Sequence, residues 1–237
     1  MMEKETANLF IQELQHYQNE TDIAKMKKFF KGSDRNTKYF GLNMRTVFTI
    51  AKQFKNMPLT EIELLLESDY YEVRMGAVSI MDFQAKSNKI SDEQRRALYE
   101  LYIKKHDRIN NWDLVDRSAP SVVGMYLLDK SKKPLYEMAH SNHIWERRTA
   151  IVSTHTFIKN ENVEDTFAIA ELLINDKEEL INKAVGSFIR EAGKKDEVKL
   201  KSFLSKHART MPRVTLRYAI EKFDKKTRDY YLNLKNS

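Results

Sequence analysis

Apolar residues recur along this chain at the spacing of a helix face. In TANLFIQELQHY, Leu9, Phe10, Leu14 and Tyr17 return every three or four positions, which puts them on one side of a helix. The same stripe runs through VFTIAKQF, LTEIELLLES, YYEVRMGAVSIMDF, DEQRRALYELYIKKH and DTFAIAELLI, and no segment of useful length alternates as a half-buried strand does. Ser91 before DEQ, Thr60 before EIE and Asn110–Asn111 before WDLVD carry side-chain oxygens suited to cap helix N-termini. Pro58, Pro120, Pro134 and Pro212 are expected at helix starts or between helices, where a missing N–H costs least. The segment 31–43, KGSDRNTKYFGLN, is the least regular and is expected to be a loop. The predicted fold class is all-α.

A weak internal repeat narrows the architecture. VRMGAV (73–78), RRTAIV (147–152), NKAVGS (182–187) and LRYAI (216–220) each set a basic residue just before a small one in an apolar helix. Those basic residues, Arg74, Arg147, Lys183 and Arg217, stand 73, 36 and 34 positions apart, so the first gap spans two periods. The missing member would fall near NWDLVD at 111–116. A period in the mid-thirties with two helices per unit is the mark of an α-α superhelix (solenoid), in which each pair buries its face only against its neighbours. The small residues, Gly76, Ala77, Ala150, Ala184, Gly186 and Ala219, would allow close helix packing, and the basic residues would then line up on one surface of successive units. No linker or low-complexity run divides the chain, so 1–237 is read as one continuous domain.

Composition removes several classes of function. Of 237 residues, 41% are hydrophobic and 32% charged, enough apolar material for a core and too little Pro and Gly (4 and 6) for a turn-rich β fold. There is no cysteine, which excludes disulfides, a thiolate nucleophile and thiolate-ligated metals. MMEKETANLF has acidic residues where a signal peptide would carry positive charge, and no apolar run reaches the length of a membrane span, so a soluble cytoplasmic protein is expected. The net charge of +7 is unevenly placed. Residues 1–118 carry 19 Lys+Arg and 18 Asp+Glu, residues 119–193 carry 9 and 11, and residues 194–237 carry 13 and 5. So lopsided a cluster is either a solvated face or the electrostatic footprint of a polyanion.

Two segments could carry chemistry. In NNWDLVDRSAP (110–120), Trp112 and Asp116 are four apart and share a helix face, while Asp113 points about 100° away. A carboxylate beside an indole suits stabilisation of a cation at a reacting centre, or general-base activation of water. The alternative is a core tryptophan with aspartates that cap the helix or pair with Arg108 and Arg117. In NHIWERRTAIVSTHTF (142–157), Arg147 or Arg148 could present its planar fork to a phosphate, or both could pair with Glu146 or face solvent. His140 and His143 are three apart but lack an evident third ligand, so no metal site is expected. The six glycines form neither GxGxxG nor GxxxxGK, and there is no nucleophile elbow.

NWDLVDRSAP, HIWERRTAIV, INKAVGSFIRE and, more loosely, KMKKFFKGSDRNTKYFGLNM resemble in order and spacing the AlkD-type DNA alkylation-repair glycosylases, over about residues 22–221. The resemblance implies a solenoid of HEAT-like repeats holding damaged duplex DNA on a basic concave face. It implies hydrolysis of the N-glycosidic bond of cationic purines such as 3-methyladenine and 7-methylguanine, without flipping the base into a pocket. Asp116 is similar to the family's catalytic aspartate, Trp112 to the tryptophan one turn earlier, and Arg148 to its DNA-contacting arginine. Arg147, Lys183, Arg190, Arg213 and Arg217 would add DNA-binding positive charge. A monomer with no membrane partner is expected, and hydrolysis of a cationic nucleotide needs no cofactor or metal. One position departs: where the family pattern KAxGW has a second tryptophan, this chain reads KAVGSF, with Ser187. Phe29 stands where some members have a tyrosine. A non-catalytic binder of damaged or branched DNA is therefore the second expectation, and a helical scaffold for an acidic protein the third.

Overall fold

The structure, a computed structural model, describes residues 5–31 and 36–234. Helices start where short polar side chains replace a missing backbone partner. Thr6, Asn19, Asn43, Asp196 and Asp224 each accept a bond from an amide in the first turn. Ser91 forms a full capping box, its hydroxyl accepting from Gln94 N while Gln94 accepts from Ser91 N. Thr60 instead lies inside a helix that begins after Pro58, and Asn111 holds the N-cap position without making the cap bond. Pro134 sits in the first turn of its helix and Pro212 just ahead of one, as expected. Pro120 opens a π-helical turn.

The chain divides into two compact units, residues 1–126 and 127–237. The first contains α1 (Ala7–Gln15), α2 (Glu20–Phe29), α3 (Met44–Gln53), α4 (Leu59–Leu66), α5 (Tyr71–Ala85), α6 (Asp92–Lys104), a 3-10 turn (His106–Arg108) and α7 (Trp112–Ala119). The π-helical turn Pro120–Gly124 leads into a short α8 (Met125–Leu127). Its centre is α5, packed against α3, α4 and α7 and buried nearly all round. Phe10 of α1 meets α5 at Gly76, where an added Cβ would come within 2.2 Å of the ring. The expected loop at 31–43 is non-helical where described and closes through one bridge between Lys38 and Tyr70; positions 32–35 lie outside the described residues.

The second unit contains α9 (Lys133–Ala139), α10 (Ile144–Lys159), α11 (Glu164–Leu173), α12 (Glu179–Gly193), α13 (Glu197–His207), α14 (Arg213–Ala219) and α15 (Lys225–Asn233). Here α12 lies between α10 and α14, with α11 and α13 packed on it as well. At Gly186 the backbones of α12 and α14 approach so closely that a Cβ would meet Thr215 O at 2.5 Å. The small residues of the repeat therefore do what their spacing suggests. All regular elements among the described residues are helical, arranged as successive helical repeats.

The basic member of the repeat has a different job from the one expected. Arg74 is fully buried and donates to Ser68 O at 2.7 Å, six residues back. Arg147 donates to Ser141 O at 3.0 Å, and Asn182 to Asp176 O at 3.1 Å, each again six residues back. The recurring polar side chain thus holds the turn that leads into its own helix, satisfying a carbonyl that the turn leaves unpaired. The expectation of a single surface row is corrected at Arg74, which is fully buried and whose desolvation is offset by bonds to Ser68 O, Thr37 and Asn110.

Candidate functional site

The first turn of α7 is set by side chains on both sides of it. Asn111 is fully buried; its Oδ1 accepts from Lys31 N at 2.8 Å and its Nδ2 donates to Asp113 Oδ1 at 2.6 Å. Asp113 Oδ1 also accepts from Leu114 N at 2.9 Å, and its Oδ2 accepts from the Tyr71 hydroxyl of α5. Burial pushes the Asp113 carboxyl above its ordinary range, against the lowering effect of those donors, and burial pushes the Tyr71 phenol up as well. Asp113 is half-buried with its carboxylate held by these bonds, while Asp116, three residues on, is exposed and Trp112 is half-buried one turn before Asp116. Trp112 is thus neither a wholly buried core residue nor a fully exposed one. A half-sheltered indole beside an accessible carboxylate could pack on a ligand and offer negative charge.

The other arginines of this segment serve α5 and its surroundings. Arg117 lies between the rings of Phe48 and Phe83, at 4.8 and 4.9 Å, and pairs with buried Asp82 at 3.0 Å. Ser121, in the π-helical turn, donates to the same carboxylate at 2.6 Å. Arg108 collects the carbonyls of Leu66, Glu67 and Ser68. Glu72, buried beside Tyr71, accepts from the amides of Phe40, Gly41 and Leu42, and burial raises its carboxyl.

In the second unit the expected DNA-binding cations differ in what they already hold. Arg147 grips Asp176 with two bonds, and Arg148 is buried and donates to Leu180 O at 2.8 Å. Lys183 pairs with Glu179 at 2.5 Å across one helical turn, and Arg190 pairs with Glu191 and Glu221. Arg213 is half-buried and Arg217 exposed, both on α14. Ser187 is half-buried on α12, next to Phe188, whose ring meets His155 edge-on at 6.0 Å. His140 and His143 end one helix and precede the next rather than sharing a helix face. The side chain of Phe29 lies outside what the structure describes. Tyr71 and the inward role of Asp113 were not foreseen; the only local hint was the Asn-Asn-Trp-Asp cluster.

Successive helix pairs with small residues at their contacts, and a tryptophan–aspartate turn on one of the helices, define a helical-repeat protein. A family model described as DNA alkylation repair enzyme matches residues 10–223, most of the chain, and the chain belongs to that family. Among solved structures it is similar to a predicted DNA alkylation repair enzyme from Enterococcus faecalis, with a TM-score of 0.70 and 17% identity, covering 88% of this chain and 97% of that one. That likeness is one of fold and supports the α-α superhelix class. No curated protein sequence matches the chain. Among the described residues no helix is long and apolar enough to cross a membrane.

Proposed function

We propose that this member of the DNA alkylation repair family hydrolyses the N-glycosidic bond of cationic alkylated purines, such as 3-methyladenine and 7-methylguanine, in duplex DNA. The observation that carries the reading is the exposed Asp116 one turn after half-buried Trp112 on α7. An alkylated purine already bears a positive charge, so its C1′–N bond breaks with the electron pair leaving on a base that becomes neutral. Positive charge then develops on the sugar, where the Asp116 carboxylate stabilises it electrostatically. Water adds to C1′, its proton passes to the carboxylate, and the products are the free base and an abasic site. Trp112 packs against the nucleotide and excludes solvent. This chemistry requires no redox group, and one protomer is sufficient for it.

The cations of the second unit would hold phosphates, which orient a duplex without reading its sequence. Arg148, Arg147, Lys183, Arg190, Arg213 and Arg217 are the candidates. On this reading residues 1–237 act as a single DNA-binding domain. The test is release of 3-methyladenine and 7-methylguanine from methylated duplex DNA. The expected result is release by the parent, its loss in Asp116→Asn, and DNA binding retained in that variant. Unchanged release in Asp116→Asn would remove the carboxylate from the mechanism.

Ser187 supports a second reading, a family member that binds damaged or branched DNA without cutting. A serine offers no surface for stacking, an interaction worth about 1–3 kcal/mol per base in single-strand complexes. Tight, salt-sensitive binding with no base release from any methylated duplex would establish it.

A further inference from the structure

Two carboxylates lie within one turn of α7: Asp116 is exposed, and Asp113 is half-buried with both its oxygens already accepting bonds. Asp113 is the meeting point of three parts of the first unit. It takes a bond from Tyr71 at the start of α5, one from Asn111 before α7, and one from Leu114 N within α7. Asn111 passes the connection on to Lys31 N just beyond α2. Phe30, in the same short segment, meets the Tyr71 ring edge-on at 5.8 Å, and Tyr39 lies 5.8 Å from that ring.

These contacts fix both the rotation and the position of the first turn of α7. Bonds to a side chain at the second residue of a helix constrain its roll, because Asp113 cannot keep Tyr71 and Asn111 together in another azimuth. Trp112 and Asp116 lie about 100° and about 60° to one side of Asp113 around the helix axis, so their presentation follows from that roll. A packing contact would tolerate small rotations, whereas directed bonds weaken steeply with angle.

We propose that Asp113 is a positioning residue which, with Tyr71 and Asn111, locks the roll of α7 and so presents Trp112 and Asp116 to the DNA in one orientation. The inference rests on the glycosylase reading for its rate measurement, and on Trp112 itself for an independent one. The chain has two tryptophans; Trp145 is buried and Trp112 half-buried, so acrylamide quenching reports chiefly on Trp112.

The experiment compares the parent with Tyr71→Phe, Asp113→Ala and Asp113→Asn. It measures single-turnover base release from methylated duplex, affinity for that duplex, far-UV circular dichroism and acrylamide quenching. Tyr71→Phe and Asp113→Ala are expected to slow release by about tenfold to a hundredfold, the scale of small misplacements of reacting groups. Affinity should change much less, quenching should rise, and helix content should stay at the parental level. Asp113→Asn keeps the side chain's size and one acceptor but turns an NH2 toward another donor, so it should recover only part of the rate; full recovery would mean that the side chain acts by bulk alone and would overturn the proposal. Should Asp113→Ala fail to fold, Tyr71→Phe, which loses one hydroxyl, decides the matter. Parental rates and quenching in Tyr71→Phe would overturn the proposal. If the parent itself releases no base, the glycosylase reading fails separately. Quenching then decides alone: a rise in Tyr71→Phe sustains the lock, and an unchanged value removes it.

Discussion

Arg147 holds Asp176 with two bonds, Nε to Oδ2 at 2.6 Å and Nη2 to Oδ1 at 3.2 Å, while its Nη1 donates to Ser141 O. Both side chains are largely withdrawn from water, at 15% and 6% exposure. Losing one partner of such a pair strands the other charge in a poorly solvated place. Arg147→Ala is expected to cost about 3–5 kcal/mol of stability, read from urea unfolding. Arg147→Lys keeps the charge but not the fork and should fall between. A loss under about 1 kcal/mol for the alanine variant would show that the pair behaves as an exposed one.

Gly186 sets the approach of α12 to α14. A methyl there meets backbone, Thr215 O at 2.5 Å, and Tyr218 Cβ at 2.6 Å, neither of which is the far end of a flexible chain. Gly186→Ala should destabilise by about 1–3 kcal/mol despite its better helix propensity. Thermal unfolding checks the sign, since propensity alone predicts a gain.

Salt should separate the cations of the second unit. Arg217 is exposed, whereas Arg190 is held by Glu191 and Glu221. If Arg217 meets a phosphate, Arg217→Ala should lower the slope of log affinity against log salt by about 1. Arg190→Ala should change the slope less, because releasing Arg190 from its two carboxylates offsets the phosphate contact. Equal slopes for the parent and Arg217→Ala would take Arg217 out of the interface.

Ser187→Trp tests the departure from the family pattern. The residue is half-buried on α12, so an indole there can reach the surface. Base release is expected to rise by about tenfold, corresponding to 1.4 kcal/mol and within the range of one stacking contact. A rate unchanged or lowered would show that this branch does not use an aromatic at that position.

Acidity gives a further check on Asp113. Its carboxyl is raised by burial, so the folded chain binds that proton more tightly than the unfolded chain does. The stability it contributes is present at low pH and is lost as pH rises through its folded value. Comparing parent with Asp113→Asn between about pH 4 and 7 by urea unfolding cancels the other carboxylates. The parent's stability relative to the variant should decline as pH rises; a rise would mean the donors outweigh burial.

Much of the fold was legible because a helix is a local object. Period and caps identified α1, α3, α4, α5, α6 and α11, and the capping box at Ser91 and Gln94 formed as its spacing required. Thr60 failed as a cap because Pro58, with its fixed φ and no amide to satisfy, takes the N-cap position two residues earlier. The face shared by Trp112 and Asp116 is a matter of helix geometry, whereas the inward turn of Asp113 depends on Tyr71, 42 positions away in the chain.

What the sequence determined by itself, then, was the helical class, the close packing at Gly76 and Gly186, and which residues of NWDLVD share a side. It also carried the family resemblance. Only the tertiary structure decided where each charge goes. Arg74 turned inward to Ser68, Thr37 and Asn110, Arg147 chose Asp176 rather than Glu146, and Tyr71 found Asp113 across 42 positions of chain. Helix periodicity is fixed by backbone bonds four residues apart, so it is written locally. The partner of a buried charge is whichever group the packing brings within about 3 Å, and no local pattern encodes that.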